Sequence, residues 1–256
     1  MVEGLDIFTA HFKDHTDHYI LIGGSACDTH FDRLGLPFRQ TKDLDIILVV
    51  EALSNEFIDH FWQFIKDGEY ALAEKGKNKQ FYRFIDPQAK GYPYMIELFA
   101  RKPDLIKESG DIHLTDIPTD EEVSSLSAIL LDDDYYHFTI ANSFAEDGLR
   151  RANDIALIVL KAKAFLNNRE RKNSEQKVHE DDIIKHRKDV IRLTAALDPG
   201  IKVNTPASIR KDLNAFIEIL KKEDPEIKAL LKNQGMGNIT LAEIIEQLQL
   251  TFGLSS

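Results

Sequence analysis

The chain has 256 residues, 43% hydrophobic and 29% charged, with a formal net charge of −11 at neutral pH; it has room for one large or two modest cores, and the wrong sign to coat nucleic acid by electrostatics alone. Its single cysteine, Cys27, excludes an internal disulfide and a cysteine-based zinc site. No apolar run approaches the roughly 20 residues a bilayer span needs, and "MVEGLDIFTAHFKDH" has neither a basic start nor a signal-like apolar run, so a cytoplasmic protein with no membrane partner is expected.

In chain order, "DHYILIG" predicts a strand, and Gly23, Gly24 and Ser25 stand where it gives way to a helix. "DLDIILVV" predicts a buried strand with Asp43 and Asp45 at its head. "SNEFIDHFWQFIKDG" has helical spacing, Ser54 or Asn55 as a cap and Gly68 as a stop. Further strands are expected in "KQFYRFID", "YPYMIELFA" and "DYYHFTIA", with turns at "DPQAKGYP" and "AEDG".

After Gly148 the pattern turns helical. "LRRANDIALIVLKAKAFLNN" and "DDIIKHRKDVIRLTAAL" predict two long helices, joined by the polar "NNRERKNSEQKVHED", which is expected to be mobile. Three more helical segments follow, and in the last Thr240 and Glu243 have capping-box spacing. The expectation is an α/β (α+β) domain over 1–148, a mixed sheet with flanking helices, and an all-helical domain over 149–256. From Arg150 to Arg192 there are 12 Lys and Arg against 7 Asp and Glu, so a polyanion would be met there.

Two carboxylates at the mouth of a buried strand are opposed by desolvation and by mutual repulsion unless something positive sits between them. Alternate strand residues share a face, so Asp43 and Asp45 lie roughly 6 to 7 Å apart at the backbone, suited to a divalent cation. Magnesium favours such oxygen donors and completes its shell with water and substrate phosphate. The Gly23–Gly24–Ser25 turn brings backbone close to a ligand, its helix N-terminus favours a phosphate, and Ser25 has a hydroxyl to donate. Glu97, charged within the apolar "YPYMIELFA", is a third candidate ligand, or else the partner of Arg83 or Arg101. An EF-hand is excluded because Leu48 and Ser54 occupy its glycine and glutamate positions, and "GGSACDTH" is neither a P-loop nor a dinucleotide fingerprint.

The order of GGS, then T-x-D-x-D on a strand, then a later acidic residue, resembles the nucleotidyltransferase fold of polymerase-beta-like enzymes. More specifically, residues 18 to 195 resemble the AbiEii-type toxin nucleotidyltransferases. Arg39, Thr41, Asp43, Leu44 and Asp45 match that family's R-x-T-x-D-[IL]-D, while Lys161, Ala164 and Arg169 match its K-x-x-A helix and Lys185 with Asp189 its K-D-x-x-D helix. The chain departs from the pattern in its long spacer between Ser25 and Asp43, in Glu97 where an aspartate is commoner, and in His186 at the first aspartate of the last motif.

The resemblance implies an enzyme that uses Mg2+ to move an NMP from an NTP to an acceptor hydroxyl. Asp43, Asp45 and Glu97 would be its catalytic metal ligands. Gly23, Gly24, Ser25, Arg39, Thr41, Lys161, Arg169, Lys185 and Asp189 would form its nucleotide site. The acceptor would be an RNA or tRNA end or a protein, and an antitoxin a possible partner; a small-molecule acceptor and a non-catalytic binding module are the alternatives. Lys161 and Lys163 lie about 200° apart on a helix, so only one can face such a site.

Other features read more plainly. His11, His15 and His18 are expected on a polar helix surface, with the strand at Tyr19 carrying His18 away. Cys27 reads as a small core residue, Asp132 to Asp134 as a solvated turn leading into a strand, and the aromatics of "FWQF" and "FYRF" as core.

Overall fold

A computed structural model describes residues 2–75, 81–99, 129–130, 132–174, 178–223, 226–232 and 235–254. They form a mixed α/β protein that divides into two compact units, Met1–Leu131 with Asn142–Asn153, and Asp132–Ala141 with Asp154–Ser256. Among the described residues no helix is long and apolar enough to cross a membrane.

The first unit holds one seven-stranded sheet: β1 (Tyr19–Ile22), β2 (Asp43–Leu48), β3 (Ala71–Lys75), β4 (Phe81–Ile85), β5 (Met95–Phe99), β6 (Ser143–Glu146) and β7 (Leu149–Ala152), in the order β3-β4-β5-β2-β1-β7-β6. β2 runs antiparallel to β1 and parallel to β5. Side chains alternate across the pleat, so Leu44, Ile46, Ile96, Leu98, Tyr82 and Phe84 are buried on one face, and Asp43, Asp45, Glu97 and Arg83 share the other.

Two helices close the apolar face. α1 (Leu5–Phe12) supplies Phe8 and Phe12, and α3 (Asn55–Asp67) supplies Phe57, Phe61, Trp62 and Phe64. Edge-to-face contacts join them to the sheet, Phe8 to Tyr19 at 5.3 Å and Trp62 to Phe84 at 5.7 Å. Ser54 caps α3 by accepting the Phe57 N–H at 3.1 Å, and Gly68 ends it, as its sequence predicts. α2 (Gly23–Arg33) packs on β1 and β2.

The second unit is helical in its described residues: α4 (Asp133–Ala141), α5 (Asp154–Asn173), α6 (Glu180–Ala195), α7 (Ala207–Glu223), α8 (Ile227–Leu231) and α9 (Leu241–Phe252). α5 and α6 form the main helix pair, and Thr240 and Glu243 make the expected capping box at the start of α9.

Four expectations are corrected. "DYYHFTIA" is helix α4, not a strand: Asp132 Oδ1 accepts from Asp134 N at 2.9 Å, and Tyr135, Phe138 and Thr139 are buried at helical spacing, so the cap and the 3.6 period prevail over aromatic β-propensity. The Asp132–Asp134 run is therefore a helix start. "LRRA" is strand β7, paired with β6 across a turn with Asp147 at φ 53° and Gly148 at φ 78°, so the long helix begins at Asp154 and runs to Asn173, deep into the stretch expected to be a linker. The division thus falls at Asn153 and Asp154, not near 148, and α4 belongs with the helices. Strand β3, unforeseen, pairs with β4.

Candidate functional site

The turn between β1 and α2 is built around Asp45. Gly23 has φ +68°, and a Cβ there would land on the Asp45 carboxylate. Only glycine meets both demands, the left-handed backbone and the close approach. A Cβ on Gly24 would come within 2.6 Å of Thr41 Oγ1 and 3.5 Å of Arg39 Nη2, so these two residues border the turn. Arg39 also lies 5.4 Å over the Phe38 ring, which stacks on Phe31 of α2 at 5.1 Å, fixing the returning loop to that helix.

Ser25 is fully buried, and its hydroxyl donates to the backbone carbonyl of Asp43, tying the first turn of α2 to the head of β2. That bond takes up the hydroxyl that the sequence reading offers to a phosphate. The residue before the helix, Ile22, provides no side-chain cap for α2.

Across the sheet Ile22 pairs with Asp45, and Asp45 with Glu97. Adjacent strands lie about 4.8 Å apart, which puts the Asp45 and Glu97 backbones side by side with both side chains on the polar face. Glu97 takes the partner its apolar strand demands: Arg83 donates to Glu97 Oε1 from Nε at 2.9 Å and Nη2 at 2.7 Å, the two side chains being 14% and 12% exposed. Arg101, the other partner considered, lies outside the described residues. Among the described residues no group of three or more His, Cys, Asp and Glu side chains is found placed to hold a metal ion.

The remaining candidates lie in the second unit, each in an ion pair of that unit. Lys161, 6% exposed on α5, reaches the fully buried Asp189 of α6 at 3.3 Å, and Arg192 reaches the same carboxylate at 3.6 Å. Arg169 pairs with Glu223, which Arg187 also holds, and Lys185 with Asp182 at 2.9 Å. Lys163 faces elsewhere, to Asp212 at 2.7 Å, an acceptor shared with the Tyr135 hydroxyl. Burial and the nearby carboxylate push the Tyr135 hydroxyl far above its ordinary value, so it stays a donor.

Two features escape the sequence reading. Asn168, two turns after Lys161, is 1% exposed, and among the described residues its carboxamide has no hydrogen-bond partner; a lone asparagine in an apolar stripe was the available signal. His60 stacks on His11 at 3.9 Å, joining it to the group of His15 and His18. No family model matches the chain, and no curated protein matches it.

Proposed function

We propose that the protein is a Mg2+-dependent nucleotidyltransferase that moves an NMP from an NTP to an acceptor hydroxyl. The observation that carries this reading is the seating of the Asp45 carboxylate against Gly23, in register with Glu97, with Arg39 and Thr41 beside Gly24. A metal-binding strand face and a phosphate-binding turn then share one short unit.

The donor set fits the metal: Asp43 and Asp45 offer hard oxygens from alternate residues of one strand, and Glu97 stands one strand away. Bound there, Mg2+ would neutralise phosphate charge and polarise the phosphoryl oxygens. The leading N–H groups of α2 grip the β- and γ-phosphates, with Arg39 adding charge. Glu97, released by Arg83, takes the acceptor's proton; the acceptor oxygen bonds to the α-phosphorus, the bond to the bridging oxygen breaks, and pyrophosphate leaves. The resemblance also implies nucleotide contacts at Lys161, Asp189, Arg169 and Lys185, which in the second unit are held in that unit's own ion pairs.

The acceptor proposed is an RNA end such as a tRNA acceptor stem, or a protein hydroxyl, in a cytoplasmic toxin–antitoxin or phage-defence setting with an antitoxin partner. A module that binds nucleotide or a partner without turnover is the second reading, favoured by the Arg83–Glu97 pair. Incubation with labelled NTPs, Mg2+ and either total RNA, total protein or small metabolites separates the cases. Label transferred to RNA or protein, and lost with Asp43→Ala, supports the proposal. Label only in a small molecule moves the acceptor class, and no label with any acceptor leaves the binding module.

A further inference from the structure

Four of the chain's nine histidines converge where α1 meets α3. His11 lies in the last turn of α1, His15 closes the short 3-10 turn Lys13–His15, His18 precedes β1, and His60 lies in α3. The His11 and His60 rings stack at 3.9 Å and 19°; His15 lies 4.7 Å from His60 and 5.5 Å from His18; and His18 stacks on Phe57 at 4.9 Å and 9°.

The hydrogen bonds specify the protons. His11 Nε2 is 3.1 Å from the His60 carbonyl oxygen, and His60 Nε2 is 2.8 Å from the His11 carbonyl oxygen. A carbonyl only accepts, so each Nε2 carries the proton and each ring donates to the other's backbone. In both neutral rings Nδ1 remains as the site for a second proton. His18 Nδ1 donates to the His15 carbonyl at 3.2 Å, which makes its Nε2, 3.4 Å from Ser54 Oγ, an acceptor in the neutral ring. Ser54 is the residue that caps α3.

We propose that His11, His15, His18 and His60 form an acid-released latch, the four clustered rings fastening α1 to α3 while His11 and His15 are neutral and letting α1 go when those two are protonated. Charging His11 places a cation 3.9 Å from the stacked His60 ring, and charging His15 places a second one 4.7 Å from the same ring. The groups facing the cluster are Asp14 of the 3-10 turn and Glu56 and Asp67 of α3. They favour protonation, but burial outweighs them and is the first cause holding His11 and His15 below the ordinary histidine value, with the neighbouring imidazoles adding to it. The rings are half-buried, so solvent protons reach them. What the latch covers is aromatic: Phe12 lies 5.9 Å from Phe57 and 5.3 Å from Phe64. Acid would thus bare an apolar face of the first unit beneath α1.

The sign follows from the depressed values. A histidine whose folded pKa lies below its unfolded value of about 6.5 stabilises the neutral, latched form fully above that value, and the stability is lost as pH falls from there towards the folded pKa. Hydrogen exchange on the full chain at about pH 7.5 and about pH 5, corrected for intrinsic chemistry, tests it. The amides of α1 should exchange about tenfold faster or more at the lower pH, one pKa unit being a tenfold preference, while those of β1, β2 and β5 keep their protection. The double variant His11→Gln with His60→Gln keeps an N–H at each Nε2 position and has nothing to titrate there, so with only His15 left to respond its α1 should lose clearly less protection at the lower pH than in the native chain. Equal α1 protection at both pH values, or loss in the double variant as large as in the native chain, overturns the latch. Should the double variant fail to fold, NMR titration of the native chain decides: His11 and His15 midpoints at or above about 6.5 overturn it.

Discussion

Gly23 shows what one residue contributes. Its φ of +68° and the Asp45 carboxylate lying where a Cβ would go make Gly23→Ala unfavourable twice over, by strain and by collision. The expected loss is about 1–3 kcal/mol in denaturant unfolding, and any NTP-dependent labelling should fall with it. Asp45→Asn should separate chemistry from folding: labelling falls about a hundredfold or more, while the chain still unfolds in a single cooperative transition. Arg83 and Glu97 are both largely buried, so Arg83→Gln leaves a carboxylate without its counter-ion and should cost about 1–3 kcal/mol. A double variant with Glu97→Gln should lose less than the sum of the two single changes, and a denaturation cycle measures that coupling.

Elements are set by their ends and by what lies between them. Ser54 accepts the Phe57 N–H and faces His18, so Ser54→Ala should cost about 1 kcal/mol by thermal or chemical unfolding. In α9 the Glu243 carboxyl is held below its usual range by Thr240, first through the side-chain hydrogen bond and then through the backbone N–H. This carboxylate favours folding at neutral pH, and that contribution fades as pH falls through its depressed pKa. Lys161 and Asp189 join α5 to α6 in a buried pair, but the partners are unequal. Asp189→Ala leaves the Lys161 ammonium buried and should cost about 3–5 kcal/mol, whereas Lys161→Met leaves Asp189 with Arg192 and should cost less. Equal losses in urea unfolding would show that Arg192 does not support the carboxylate.

At the scale of the molecule, each of the two units has its own buried apolar core. In the full chain, hydrogen exchange of Asp189→Ala should lose protection first in α5 and α6, and that of Gly23→Ala first in β1, α2 and β2. The parallel pairing of β2 with β5 brings Glu97 beside Asp45, although 51 residues of chain lie between them. The parallel pairing of β1 with β7 carries the chain from α4 back into the sheet before the helices of the second unit begin.

What was legible in the sequence was local. Strands β1, β2, β4 and β5 could be read from their apolar runs, the caps of α3 and α9 from Ser54, Thr240 and Glu243, and the glycine turn before two strand carboxylates from residue identities alone, since each depends on neighbours a few positions apart. The helical state of "DYYHFTIA" turned on Asp132 as a cap and on which side chains found a core, because aromatic runs suit strand and helix about equally until packing decides. Only the tertiary structure decided that Ser25 spends its hydroxyl on the Asp43 carbonyl, that Glu97 takes up the Arg83 partnership that the sequence offered beside metal ligation, and that His60 completes a histidine cluster with residues more than forty positions earlier. Those contacts follow from strand register and helix packing, which residues distant in the chain set jointly.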